Sequence, residues 1–189
     1  MPRGLTKLCV ILLNNGAFLD ATTGTPPYKT ALHIAVSGGH LDIVQLLVKK
    51  YKADCRKLDC WGWNVLHEAA VGGDPDIIRL IMKECRELSN QADKLGRTPL
   101  LLGLLSNIGE AAVRVMLEMG ENVTNEDQVG RGCPEAAILY CDIEVISLII
   151  KNYLKKQKID QVNKKLLLEI ASDHPDSFNV LKLLKDLLK

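Results

Sequence analysis

Apolar residues recur along this chain in short helical stripes, one after another at a regular interval. Leu41, Ile43, Val44, Leu46 and Leu47 form the first, and Ile77, Ile78, Leu80 and Ile81 the next. Ala112, Val113, Val115 and Met116 follow, then Val145, Ile146, Leu148 and Ile149, then Val180, Leu181, Leu183 and Leu184. Spacings of one, three and four put each set on one side of an α-helix. Ahead of each stripe, at a constant step of 34 residues, lies a second pattern: TALHIA from Thr30, NVLHEA from Asn64, TPLLLG from Thr98, GCPEAA from Gly132 and LLLEIA from Leu166. Thr30 and Thr98 are placed to cap a helix through their hydroxyls, and Pro99 suits the first helical position, where no N–H is needed. Ser37-Gly38-Gly39-His40, Val71-Gly72-Gly73-Asp74 and Asn107-Ile108-Gly109 separate the two helices of a unit with glycine-bearing stops. Helix pairs of this kind cannot bury their apolar faces alone, so successive units must stack.

The 34-residue step and the T-P-L-H-x-A form of the turn resemble the ankyrin repeat, in which a β-turn finger precedes two antiparallel helices. The likeness is fullest over residues 28–127, continues to 154 and fades at both ends. It implies an all-α solenoid of about five repeats plus an N-terminal half repeat, filling residues 1–189 as one domain. Residues 1–20 supply the half repeat, 28–154 the core repeats and 160–189 a C-terminal capping repeat. Leu5, Leu8, Ile11, Leu12 and Leu13, followed by Asn15-Gly16-Ala17, read as a second helix without its first. Such a start fits a short isoform or the cut edge of a longer array. KNYLKKQKIDQVN, from Lys151 to Asn163, departs from the finger pattern. The resemblance also implies that His33 and His67 tie neighbouring fingers by hydrogen bonds. Later units carry Leu101, Glu135 and Glu169 at that place, so the tie is lost or altered there.

Composition narrows the function classes. Apolar residues make up 47% of the chain, ample for a stacked core, and the net charge of +1 gives no global field pointing to nucleic acid or a membrane surface. No apolar run approaches the ~18 residues of a membrane span. MPRGLTKLCVILLNNG has a basic start before an apolar stretch, but the stretch is short and in register with the later second helices, so it reads as helix rather than signal peptide. Lys151, Lys155, Lys156, Lys158, Lys164 and Lys165 have only Tyr153 among them, a pattern of solvated connection rather than of a nucleic-acid stripe. Cys9, Cys55, Cys60, Cys85, Cys133 and Cys141 contain no C-x-x-C pair and read as small hydrophobes in a reducing cell. A zinc site from Cys55, Cys60 and His67 lacks a second ligand pair. No nucleophile elbow, P-loop, H-E-x-x-H or dinucleotide fingerprint is present, which argues against an enzyme and against a cofactor.

Recognition of a partner protein remains. The working surface expected is the concave side, where finger tips and first helices face outward. Both tryptophans of the chain, Trp61 and Trp63, fall on one finger, and a rigid indole held on a turn rewards a partner that covers it. Tyr28, Lys29, Lys94, Arg97 and Arg131 occupy neighbouring finger positions, and the cations would favour a partner with an acidic surface. The reading is a monomeric regulatory adaptor or inhibitor in the cytoplasm, with the nucleus as a second place of action. Its alternative is a fragment of the cytoplasmic ankyrin domain of a larger scaffold, channel or ubiquitin-ligase substrate receptor.

Overall fold

The computed structural model describes residues 3–157 and 161–188. Among these, eleven α-helices follow one another: α1 Arg3–Asn14, α2 Ala31–Ser37, α3 Leu41–Gln45, α4 Val65–Gly72, α5 Pro75–Glu84, α6 Pro99–Leu105, α7 Glu110–Glu118, α8 Cys133–Tyr140, α9 Ile143–Lys156, α10 Gln161–Ser172 and α11 Ser177–Leu187. A π-helical turn, Leu46–Lys50, continues α3, and a 3-10 turn, Arg86–Leu88, follows α5. Helices α2, α4, α6, α8 and α10 stack in an inner row, and α1, α3, α5, α7, α9 and α11 stack behind them. This is the all-α solenoid of stacked helix pairs that the resemblance implied.

The inner helices α2, α4, α6 and α8 start where the sequence provides a cap. Thr30 Oγ1 accepts from His33 N at 3.4 Å, Asn64 Oδ1 accepts from Leu66 N at 2.9 Å and His67 N at 3.1 Å, and Thr98 Oγ1 accepts from Leu101 N at 3.3 Å. Gly132 has no side chain to offer, and Glu135 instead reaches back to accept from the Gly132 N–H at 3.0 Å. The cap thus survives at α8 with its roles shifted onto the third helical residue.

The outer stripes close the core. Ile77, Ile78, Ile81, Val113, Met116, Val145, Ile146 and Ile149 are all sealed from solvent, as are Leu66, Leu100 and Leu101 on the inner row. Small residues recur where inner helices approach one another: Ala35, Ala69, Gly103 and Ala137 share one register position. A Cβ at Gly103 would meet Ala70 Cβ at 3.3 Å and Ile108 Cδ1 at 3.2 Å, so glycine sets how closely α6 sits on α4.

One cysteine expectation is corrected here. Cys55 and Cys85 do not stand apart as separate small hydrophobes: they form a disulfide, with Cα atoms 6.4 Å apart, within the range a bridge requires. Cys133 and Cys141 are buried thiols, and burial raises the pKa of the latter to about 12. Lys158, named above in the lysine-rich tract, lies outside the described residues, as does Lys189.

Candidate protein-binding surface

The fingers are built on an aspartate that recurs with the repeat. Asp59, Asp93 and Asp127 each use Oδ1 to accept two backbone N–H groups of their own turn: Trp61 and Trp63 at 2.8 and 2.9 Å, Leu95 and Arg97 both at 2.9 Å, Val129 and Arg131 at 3.0 and 2.9 Å. Gly62, Gly96 and Gly130 close the turns with φ of 81°, 79° and 79°, a region that favours glycine. A Cβ at Gly62 would come within 3.1 Å of Lys94 N, and one at Gly96 within 3.0 Å of Gln128 N, because the next finger lies directly alongside. Successive fingers are joined in a ladder: Cys60 N donates to Pro27 O at 2.9 Å, Lys94 N to Trp61 O at 3.2 Å and Gln128 N to Leu95 O at 3.0 Å.

Histidine supplies the second tie. Thr30 N donates to His33 Nδ1 at 3.4 Å, which leaves Nε2 to carry the proton and donate to Trp63 O at 3.3 Å. Asn64 N donates likewise to His67 Nδ1 at 3.3 Å, and His67 Nε2 donates to Arg97 O at 3.0 Å. The two histidines therefore bridge fingers as the resemblance implied. Leu101 is sealed in the core, Glu135 serves its own helix start, and Glu169 is exposed beside Lys165 at 3.6 Å. None of the three replaces the histidine bridge.

Burial pushes both imidazoles below their ordinary pKa, against the backbone hydrogen bonds that favour the protonated form. The unfolded chain then binds protons more readily, so this contribution is full above about pH 6.5 and is lost as pH falls below it. Thermal midpoints measured from about pH 7.5 down to 5.5 will fall more steeply in the parent chain than in a His33→Gln/His67→Gln variant. Parallel slopes would contradict the assignment.

The two indoles have different fates. Trp63 is half-buried, and its Nε1 donates to Asp93 Oδ2 on the next finger at 3.0 Å. It stacks on His67 with centroids 6.5 Å apart, and the Arg97 guanidinium lies 5.8 Å from its ring. Trp61 is 50% exposed and rests against Trp63 with centroids 5.6 Å apart and planes tilted by 47°. Leu95 and Val129 hold the same register position on the next two fingers and are 53% and 75% exposed. Tyr28 is exposed at the place where the later fingers have glycine, with φ of 60°.

The cations are spoken for to differing degrees. Lys29 is ion-paired with Glu68, a carboxylate on α4 that is otherwise sealed. Arg97 pairs with Asp93 at 2.6 Å and Arg131 with Asp127 at 3.0 Å. Burial alone would raise the Asp93 carboxyl, but the Arg97 side chain and the backbone N–H groups of Arg97 and Leu95 together hold it below its usual value. Lys94 donates from Nζ to Cys60 O at 2.8 Å and has no carboxylate partner among the described residues. Ile34, Val71, Leu139 and Tyr140 are exposed on the inner helices α2, α4 and α8. Sequence reasoning passed over the aspartates, although a D-x-x-G pattern at the 34-residue step carries them, and it placed Leu95 and Val129 on the fingers without counting them as contact residues beside Trp61. The metal candidate dissolves for a local reason: Cys55 is bonded to Cys85, and His67 is held by Asn64 and Arg97.

Among the described residues no helix is long and apolar enough to cross a membrane. No curated protein matches the chain. A family model described as ankyrin repeats (3 copies) matches residues 3–90 and 32–127, which is the stretch holding α1 to α7 and both histidine bridges. Capped inner helices, aspartate-built fingers and histidine bridges at a 34-residue step, together with that match, establish that the chain belongs to the ankyrin-repeat family, whose members generally mediate protein–protein interaction and are typically non-catalytic.

Proposed function

We propose that this chain is a non-catalytic, monomeric binding module that captures a partner protein along its finger tips and inner helices, as a regulatory adaptor or inhibitor in the cytoplasm or nucleus. The observation that carries the reading is the row Trp61, Leu95 and Val129, apolar side chains held half or more exposed on turns that are themselves fixed by aspartate and by the inter-finger ladder. Bare apolar surface on a rigid support favours a partner that removes it from water, and large aromatic anchors carry most of the affinity of such contacts. Tyr28 extends the patch on the finger before. Lys94 is the cation best placed to meet an acidic group, since Lys29, Arg97 and Arg131 already have carboxylates.

Trp63 contributes by holding Trp61 in place, so the two indoles are best removed separately. Affinity capture from cell extract with the full chain, repeated with Trp61→Ala/Leu95→Ala, tests the proposal. Loss of two tip anchors at about 2 kcal/mol each corresponds to a drop in affinity of several hundred-fold, with the melting temperature nearly unchanged. Undiminished capture by the double variant would rule out the tips as the working surface.

A further inference from the structure

The spacing of the tip row restricts the shape of what binds it. Pro27, Trp61, Leu95 and Val129 occupy one register position on four successive fingers, and the ladder bonds join those fingers one to the next. Adjacent inner helices in the stack set the same interval, since packed helices lie about 8–10 Å apart. A ligand that seats side chains on consecutive tips must therefore present them about 9 Å apart on one side.

Regular backbones meet that requirement unequally. A polyproline-II segment has three residues per turn and a rise of about 3.1 Å, so every third side chain returns to one edge after about 9.3 Å. An extended strand returns a side chain to the same face after about 6.6 Å or 13 Å, missing the interval on either side. An α-helix brings the seventh residue round at about 10.5 Å and so drifts off the tips by the third finger.

Chemistry at the tips agrees with the geometry. Trp61 and Trp63 form an angled aromatic pair with centroids 5.6 Å apart, and Tyr28 stands on the preceding finger. Aromatic-lined surfaces recognise proline-rich segments because their rings cover the pyrrolidine faces of a chain already stiff before binding. The carbonyls of that backbone have no internal hydrogen bonds, and the half-exposed Trp61 indole N–H has no acceptor among the described residues. Charge points the same way. Lys29, Arg97 and Arg131 are neutralised within the fold, which suits a nearly uncharged segment, and Lys94 beside them has no carboxylate partner among the described residues.

Building on the proposed function, we infer that the finger tips bind a polyproline-II segment of the partner protein, with an apolar side chain at every third position seated on Trp61, Leu95 and Val129, and one carboxylate beside Lys94. The test titrates the full chain with synthetic peptides, followed by indole fluorescence and calorimetry. The first is proline-rich, with leucine at every third position and one glutamate. The second keeps the leucine spacing with prolines changed to glycine and serine, the third moves leucine to every fourth position, and the fourth is a helix with leucine at every seventh. The expected result is saturable binding of the first, with a shift in indole emission, at least roughly 10-fold tighter than the other three. Trp61→Ala, Leu95→Ser and Lys94→Glu should each weaken it without changing the melting temperature. No binding of the first peptide, equal binding of the every-fourth peptide, stronger binding of the helix, or unchanged affinity in the Trp61→Ala/Leu95→Ser variant would overturn the inference. Capture from extract that still depends on Trp61 and Leu95 while the peptide fails would sink the ligand class alone and leave the broader function standing.

Discussion

Replacing Asp93 with alanine is expected to cost about 3–5 kcal/mol and to lower the thermal midpoint by about 10 °C, the loss typical of removing one partner from a buried ionic network. The Asp93 side chain has no exposure, and it accepts from Leu95 N, Arg97 N, the Arg97 guanidinium and, across the finger interface, the Trp63 indole. Truncation would leave those donors unpaired in a dry site, and an unmade buried hydrogen bond costs more than a made one contributes. Asp59 offers the internal control. Its Oδ1 holds the same two turn N–H groups, but its Oδ2 is buried with no hydrogen-bond partner among the described residues, because Trp63 stands where the later fingers have arginine. Asp59→Asn keeps the turn bonds and removes an uncompensated charge, so it should be close to neutral, whereas Asp93→Asn should cost about 2 kcal/mol or more. Scanning calorimetry of the three variants decides the matter. Equal losses at positions 59 and 93 would show that the side-chain network across the fingers adds nothing to the turn.

Lys29→Met is expected to destabilise the fold by about 3 kcal/mol, with most of the loss recovered when Glu68→Leu is added. Glu68 projects from α4 with a side chain only 4% exposed, and its Oε1 has no other partner among the described residues than the Lys29 ammonium, itself 19% exposed. Removing the lysine strands a buried carboxylate, while removing both charges leaves apolar side chains of similar size in an apolar setting. Urea denaturation of the two single variants and the double, compared at constant m-value, gives the coupling directly. A contact residue for an outside partner would behave otherwise: Lys29→Met would leave the urea midpoint in place and weaken capture.

The repeat, its helices and its caps were legible because they depend on residues near each other in the chain. The stripe Ile77, Ile78, Leu80 and Ile81 is a helix face wherever it is placed, and Thr98-Pro99 starts a helix by local chemistry. The roles of His33 and His67 were also legible, through the resemblance, since a 34-residue step brings each opposite the next finger's carbonyl. The tryptophans drew attention away from the quieter signal beside them. Asp59, Asp93 and Asp127 with Gly62, Gly96 and Gly130 recur at the same step and build the fingers on which the indoles sit.

Other features had no sequence signal at all. Nothing in the order of residues says that Lys29 meets Glu68, that the Trp63 indole turns inward to Asp93 while Trp61 stays in water, or that Cys55 lies against Cys85. The chain by itself determined the period, the helices and the direction in which they stack, because apolar spacing and capping act within a few residues. Only the tertiary structure decided which finger-tip charges are cancelled and which apolar groups remain bare. Those outcomes depend on distances and burial between separate repeats, where desolvation and pairing are set by the neighbour rather than by the sequence alongside.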